Sequence, residues 1–485
     1  MTRHPGGSTV SVLCTLAVAA ASLAPVGYLF ATGVSWADIV AQFQYTATVD
    51  AVVQTVELTA VIVAMTALLG AGCALLVVRT TMPFPQLSTV LLAVPLAVPG
   101  FVSAYAAYAL ELTYAPDFGF VSSFGGAATV LALSLYPYVF LPCVVALRGI
   151  DPMQEEVAAS LRPRRAAALW QVVLPALRPA LAAGALIVAL HVLAEYGAMV
   201  QLGRSTLTTK ILAEMIDYGD YRSAGSLSLV LAALAAVVLL ATRALAGRSR
   251  VAAVERGARR PPRRFALGGF RVPAAVVTLL VPVTAVGPTV FMTLRSLVGP
   301  GRAGEIDWAE LGEAFSTTLG YACAAAVVAT LVALPVSWSV TRYPSLLSHG
   351  GERAVWLSHA IPGAILALAL VYFATRLTPG LYKTPVVLVA AYVVLFLSLA
   401  VAQQRVGLAA TRRGYDDVAA SLGVRAGGVF LRITVPLAAP GFLAGALLVA
   451  LDSSKELTTT LMLLPYNSQT LSSQLWATTN GEALD

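Results

Sequence analysis

Eleven stretches of roughly 20 predominantly apolar residues run through this 485-residue chain, and no set of soluble domains accommodates them. They lie near 11–30, 54–78, 88–110, 126–147, 180–202, 225–246, 272–294, 317–340, 355–377, 384–404 and 440–464. Only 11% of residues are charged while 58% are hydrophobic, against about 25% charged in a soluble domain. The apolar excess must face lipid. In lipid a backbone amide has no water to bond, so a spanning segment satisfies its own N–H and C=O groups as a helix. The expected fold is therefore an all-α polytopic membrane protein. Pro and Gly inside several runs are tolerated where neighbouring groups re-satisfy the freed backbone. The first run follows Arg3 and His4 like a signal peptide, but its length and the lack of a cleavage site before a soluble domain favour an uncleaved helix. Cys14, Cys73, Cys143 and Cys323 all fall within apolar runs without paired or metal-ligand spacing, which suits small packing residues.

Charge orients the spans. With the N-terminus in the cytoplasm, 23 of the 31 basic residues fall on the inner side and 8 on the outer, as the positive-inside rule requires. The arginine-rich stretch 243–271, with Arg259-Arg260 and Pro261-Pro262, reads as a cytoplasmic connection. Topology and anionic lipid account for its charge without a nucleic-acid partner.

An internal repeat divides the chain. Residues 156–186, EVAASLRPRRAAALWQVVLPALRPALAAGAL, align without a gap to 417–447, DVAASLGVRAGGVFLRITVPLAAPGFLAGAL, at an offset of 261. Val157, Ala158, Ala159, Ser160, Leu161, Arg164, Pro175, Pro179, Ala183 and Gly184 recur as Val418, Ala419, Ala420, Ser421, Leu422, Arg425, Pro436, Pro440, Ala444 and Gly445. Earlier landmarks repeat at 263: Thr55 with Thr318, and Pro99-Gly100 with Pro362-Gly363. The domain expectation is a six-span repeat over 1–246, a basic linker over 247–271 and a five-span repeat over 272–485. An even number of preceding spans makes the copies parallel, related by an axis along the membrane normal. At the same offset Asp485 falls opposite Ala224, so the second copy is expected to lack the last helix; truncation and natural loss both remain open.

Each repeated loop opens with an acid (Glu156 or Asp417), followed by two alanines (Ala158-Ala159 or Ala419-Ala420) between apolar residues at helical spacing (Val157 and Leu161, or Val418 and Leu422). An acid in the first turn suits the helix dipole, and alanines admit the close approach of another surface. The alternative is an amphipathic loop resting on lipid headgroups. The acid, the alanines, Gly423 six residues after Asp417, and the closing Leu174-Pro175 or Val435-Pro436 resemble the coupling-loop signature of membrane subunits of binding-protein-dependent ABC importers. Two such units in one polypeptide, with Tyr136-Pro137-Tyr138, Glu195-Tyr196-Gly197, Lys455-Glu456-Leu457 and Leu464-Pro465-Tyr466, resemble iron(III) permeases in particular, although thiamine and phosphonate permeases share the fused layout. The resemblance implies cytoplasmic ATP-binding subunits, two copies of them, engaging the loops through Glu156, Val157, Ala158, Ala159, Leu161, Asp417, Val418, Ala419, Ala420, Leu422 and Gly423. It also implies an extracytoplasmic solute-binding protein and a multi-pass location in the plasma or inner membrane of a prokaryote.

The chain carries no G-x-x-x-x-G-K-[ST] phosphate loop, no clustered metal ligands and no catalytic constellation, so no cofactor is expected and ATP hydrolysis is assigned to a separate chain. The loop offset continues to pair His191 with Asp452 and Glu195 with Glu456, each pair spaced i, i+4 as for one helix face. Ionisable groups in a span tend to face a wet interior. At a rise of about 1.5 Å per residue, Glu195 is expected about 22 Å along its helix, in the outer half of a substrate path on the two-fold axis. The alternative is a structural role, with Lys455 offsetting Asp452 and His191 a hydrogen-bonded packing residue. An ion-gradient-driven secondary transporter is the other functional class, disfavoured because it has no ATPase to dock. The first loop has Arg162-Pro163 where the second has Gly423, and a residue before proline is driven toward extended backbone. A left-handed turn at a non-glycine residue costs about 1 kcal/mol or more. Arg162→Gly and Gly423→Arg are therefore expected to change transport-linked ATP hydrolysis by factors differing about fivefold; equal effects in the assembled transporter refute unequal coupling.

Overall fold

The computed structural model describes residues 5–32, 34–150, 173–246, 264–298, 307–359, 361–410 and 426–481. The first repeat opens with α1 (Pro5–Thr32), α2 (Thr46–Arg79), α3 (Pro85–Ala93), α4 (Gly100–Tyr114), α5 (Phe124–Leu135) and α6 (Pro137–Gly149). It continues with α7 (Leu174–Ala194), α8 (Gly197–Gln201), α9 (Leu207–Ile216) and α10 (Tyr221–Ala246). The second repeat supplies α11 (Arg271–Val298), α12 (Trp308–Arg342), α13 (Leu346–His359), α14 (Gly363–Leu377) and α15 (Pro385–Ala410). Its later helices are α16 (Val435–Ser454), α17 (Thr458–Leu463) and α18 (Leu471–Gly481). A polytopic all-α protein is what the composition demanded.

Among the described residues, seven helices are long and apolar enough to cross a membrane, and three bent pairs bring the number to ten. The eleventh expected run belongs to α1, whose apolar described stretch is the shorter Thr9–Ala24. The runs near 88–110 and 355–377 are not through-going helices. Residues Pro85–Ala97 and Gly100–Tyr114 meet at 90°, and Leu346–Ser358 and Gly363–Leu377 at 99°. Both corners fall at the repeated Pro-Gly. Pro99 and Pro362 adopt extended backbone, with ψ of 144° and 140°, and the new helix begins at the glycine. A proline lacks the N–H that would extend the helix before it. The run near 126–147 bends by 44° between α5 and α6, where the buried Tyr136 hydroxyl donates to the Leu92 carbonyl at 2.8 Å.

Hydroxyls inside the spans bond to their own helices. Thr55 donates to Ala51 O at 2.6 Å, Thr59 to Thr55 O at 2.7 Å and Thr318 to Ala314 O at 2.7 Å. Such back-bonding removes the cost of burying a polar group in hydrocarbon. Before α10, Asp220 accepts the Ser223 and Arg222 amides at 3.1 and 3.0 Å and the Ser223 hydroxyl at 2.7 Å. These bonds, the Ser223 amide first, hold its carboxyl below the usual carboxylate range.

Two compact units result, and compactness divides the chain differently from the duplication. Unit 1 comprises Met1–Ile39, Asp220–Leu229 and Asp307–Asp485, and unit 2 comprises Val40–Gly219 and Val230–Ile306. In unit 2, α2 packs on α6 and α7, and in unit 1 the corresponding α12 packs on α15 and α16. The first helix of each repeat is exchanged: α1 packs on α12, α13 and α14, and α11 on α3, α4 and α5. Thr15 of α1 is fully buried, its hydroxyl 2.8 Å from Ser11 O of its own helix and within 3.1 Å of Pro335 O and 3.0 Å of Ser339 Oγ on α12. On α11, Arg295 lies 5.2 Å over the Tyr114 ring, and Phe291 meets that ring edge-on at 5.7 Å. Just ahead of α11, Phe265 accepts the Thr81 amide at 3.1 Å and donates its own to Arg79 O at 2.7 Å.

The repeated glycines sit at helix crossings. A Cβ added at Gly184 of α7 would lie 2.7 Å from Val139 Cα, whereas one at Gly445 of α16 would lie 3.2 Å from Ala400 Cα. Close backbone approach between membrane helices needs small residues there. Gly184→Ala is expected to cost about 1–3 kcal/mol through overpacking and Gly445→Ala less. Thermal unfolding of the two variants in detergent checks the order, and a greater loss at Gly445 contradicts it.

Candidate functional site: a twinned glutamate at a helix break

Of the four ionisable residues that the sequence places in the spans, the two glutamates have the same surroundings in both repeats. Helix α7 ends at Ala194, and Glu195 leaves the helical region with φ −71° and ψ 121°. Its Oε1 accepts the Ala198 amide of α8 at 3.0 Å. Helix α16 ends at Ser454, and Glu456 Oε1 accepts the Thr459 amide of α17 at 3.0 Å. Each carboxylate thus caps the short helix that resumes after the break, satisfying an amide with no intrahelical partner. The expectation that each acid shares a helix face with the residue four before it does not hold, because the helix stops before the glutamate. Since α7 begins at Leu174 and runs 21 residues, Glu195 stands about 32 Å along it rather than about 22 Å.

The same carboxylates lie against the glycines that open the bent helices. A Cβ on Gly100 would come within 3.1 Å of Glu195 Oε2, and one on Gly363 within 3.3 Å of Glu456 Oε1 and 2.9 Å of Thr459 Oγ1. A negative group beside the first turn of α4 or α14 is favoured by the helix dipole. Both glutamates are half-buried. The other two residues diverge. His191 Nδ1 lies 2.9 Å from the Ile187 carbonyl and its ring lies 4.5 Å from that of Tyr138. Asp452 pairs with Lys455 Nζ at 2.7 Å. The offset therefore brings histidine and aspartate to matching positions but gives them different partners.

Sequence reasoning treated Thr55 and Thr318 only as landmarks. In the structure the Leu207 amide donates to Thr55 Oγ1 at 3.0 Å, and the Leu471 amide to Thr318 Oγ1 at 2.8 Å. Leu207 and Leu471 open α9 and α18, which are headed by reciprocal pairs. Thr206 N donates to Thr209 Oγ1 at 2.8 Å and Thr470 N to Ser473 Oγ at 2.9 Å. Thr206-Leu207 recurs as Thr470-Leu471 at a spacing of 264, a third step in the repeat, and that recurrence was the signal that would have found these bonds. No group of three or more metal-ligating side chains occurs among the described residues. The segments 151–172 and 411–425, with all eleven residues assigned to the coupling loops, lie outside the described residues.

Comparison with known proteins agrees with the duplication. Residues 66–251 and 329–485 both match the binding-protein-dependent transport system inner membrane component family. The chain is 31% identical over 420 residues to the Fe(3+)-transport system permease protein FbpB 2 of Haemophilus influenzae, covering 85% of this chain and 80% of that protein. It is also 31% identical over 187 residues to the molybdenum transport system permease protein ModB of Mycobacterium tuberculosis, covering 36% of this chain and 70% of that one. With the sulfate transport system permease protein CysT of Escherichia coli it shares 27% over 128 residues, 25% of this chain and 46% of that one. This twice-repeated membrane chain therefore belongs to the family of inner membrane components of binding-protein-dependent transport systems.

Proposed function

We propose that the chain is the permease subunit of an ATP-driven importer for iron(III), oriented with its N-terminus in the cytoplasm and made of repeats 1–246 and 272–485 joined by 247–271. The observation that carries the substrate is the similarity to an Fe(3+)-transport permease along 85% of the chain. The molybdenum and sulfate relatives match 36% and 25% of it. Family membership supports the binding-protein-dependent reading over an ion-gradient-driven one. A solute-binding protein delivers the cargo, and two ATP-binding subunits engage the segments that begin at Glu156 and Asp417.

Glu195 and Glu456 are assigned to the substrate path. Carboxylate oxygens are hard donors suited to a hard cation. A carboxylate that accepts one backbone amide retains acceptor capacity on its other lone pairs. One such group per unit attracts a ferric ion without assembling a chelate that would retain it, as passage requires. His191 and Asp452, tied to Tyr138 and Lys455, serve chiefly to shape the surrounding wall.

The test is uptake of iron(III) by vesicles holding the permease, its ATPase and its binding protein. Uptake is expected to require ATP and the binding protein. Glu195→Gln combined with Glu456→Gln retains an acceptor oxygen for each cap while removing the charge, and is expected to lower uptake at least tenfold with the complex still assembled. Wild-type rates in the double variant remove the glutamates from the path. Copurification of no ATP-hydrolysing subunit sinks the importer reading itself.

A further inference from the structure

The two repeats differ along α15 and α6, the helices that precede the coupling segments in sequence. In unit 1, Gln404 of α15 is 1% exposed. Its Nε2 donates to Thr330 O at 2.8 Å and its Oε1 accepts the Ser337 hydroxyl at 2.7 Å, both from α12. The next residue, Arg405, forms an ion pair with Glu352 of α13, which is 6% exposed. Two successive side chains thus bind one helix to two neighbours. By the offsets of the repeat, the unit 2 counterparts of Gln404 and Arg405 are Cys143 and Val144, those of Thr330 and Ser337 are Ala67 and Ala74, and that of Glu352 is Thr89. Cys143, Val144 and Ala74 are buried, and the Thr89 hydroxyl turns back onto Pro85 O at 2.8 Å. At these positions the same crossing, α12 on α15 in one unit and α2 on α6 in the other, is polar and directional in the first and apolar in the second.

Hydrogen bonds lose strength steeply with misalignment, whereas apolar contact has little directional preference. Buried polar groups can fix the register of packed helices in a way apolar groups do not. Arg405 stands twelve residues before Asp417, and Val144 twelve before Glu156. Resting on the importer reading above, we infer that Gln404, Glu352 and Arg405 are positioning residues that lock α15 to α12 and α13. The second repeat is then the stiff arm that transmits ATP-driven motion, and the first, entered through α6, is the arm that adapts.

The measurement is iron(III) transported per ATP hydrolysed by the complete transporter in vesicles, with iron(III) supplied on the binding protein. Two variants break the lock: Gln404→Met, and Glu352→Gln combined with Arg405→Gln, which leaves no buried charge without a partner. Each is expected to lower the ratio at least fivefold, whereas Val144→Ala and Thr89→Val in the first repeat change it less than twofold. Exchanging the charges, Glu352→Arg with Arg405→Glu, is expected to recover at least half of the wild-type ratio, which ties the loss to the ion pair, and the ratio is read only in variants whose assembly and thermal unfolding match wild type, so that a merely structural loss does not count. If Gln404→Met fails to assemble, the neutral double variant decides. An unchanged ratio in the unit 1 variants, or equal losses from the unit 2 changes, overturns the inference. Wild-type uptake that proceeds without ATP hydrolysis overturns the importer reading instead.

Discussion

Backbone amides at membrane depth have no water to bond, and this constraint shapes the breaks after α7 and α16 and the starts of α9 and α18. At each of these four a side chain accepts a main-chain amide. Glu195 and Glu456 accept the amides that open the short helices after α7 and α16, and Thr55 and Thr318 accept those that open α9 and α18. An unsatisfied N–H in hydrocarbon costs several kcal/mol, so these four residues allow the chain to turn where lipid alone would keep it helical. The glycines at the corners serve the same end. Gly100 and Gly363 leave room for the capping carboxylate at the start of the bent helices, and a methyl group there would press on it.

The architecture was legible because lipid demands a signal of about twenty residues, longer and simpler than the pattern of a soluble core. All eleven apolar runs correspond to helical segments. Hydropathy has no direction, however, and it reports the two limbs of a right-angled corner as one run, as at Pro99-Gly100 and Pro362-Gly363. The i, i+4 spacing of His191 and Glu195 has the same weakness: it is a helical spacing only while the helix continues, and α7 ends at Ala194. The break has no standard capping signature to announce it, since glutamate is not among the residues that commonly head a helix.

Exchange of α1 and α11 could not be inferred from periodicity, because an apolar helix carries no address for its neighbour. Specificity arises from a few contacts, such as the Thr15 hydroxyl on Ser339 and the Arg295 guanidinium over Tyr114. The consequence is that neither compact unit is built from one repeat alone. A half-chain ending before α11 would leave the faces of α3, α4 and α5 without the helix that covers them. Fusion of the repeats in one polypeptide supplies each unit with its exchanged helix at fixed stoichiometry.

Duplication also provides an internal control on which features the bilayer requires. Features present in both copies sit where a backbone group or a close helix crossing is at stake: the capping glutamates, the threonines under α9 and α18, and Gly184 with Gly445. Features that differ sit where main-chain satisfaction does not depend on them. His191 stacks on Tyr138 where Asp452 pairs with Lys455, and Cys143-Val144 stands where Gln404-Arg405 binds two helices. The environment therefore restrains the turns and leaves side-chain linkage between finished helices free to diverge. The path itself differs at one place, where α5 and α6 bend by 44° and the corresponding α15 runs unbroken, so the two copies diverge both in side-chain linkage and in the one bend that no Pro-Gly pair fixes.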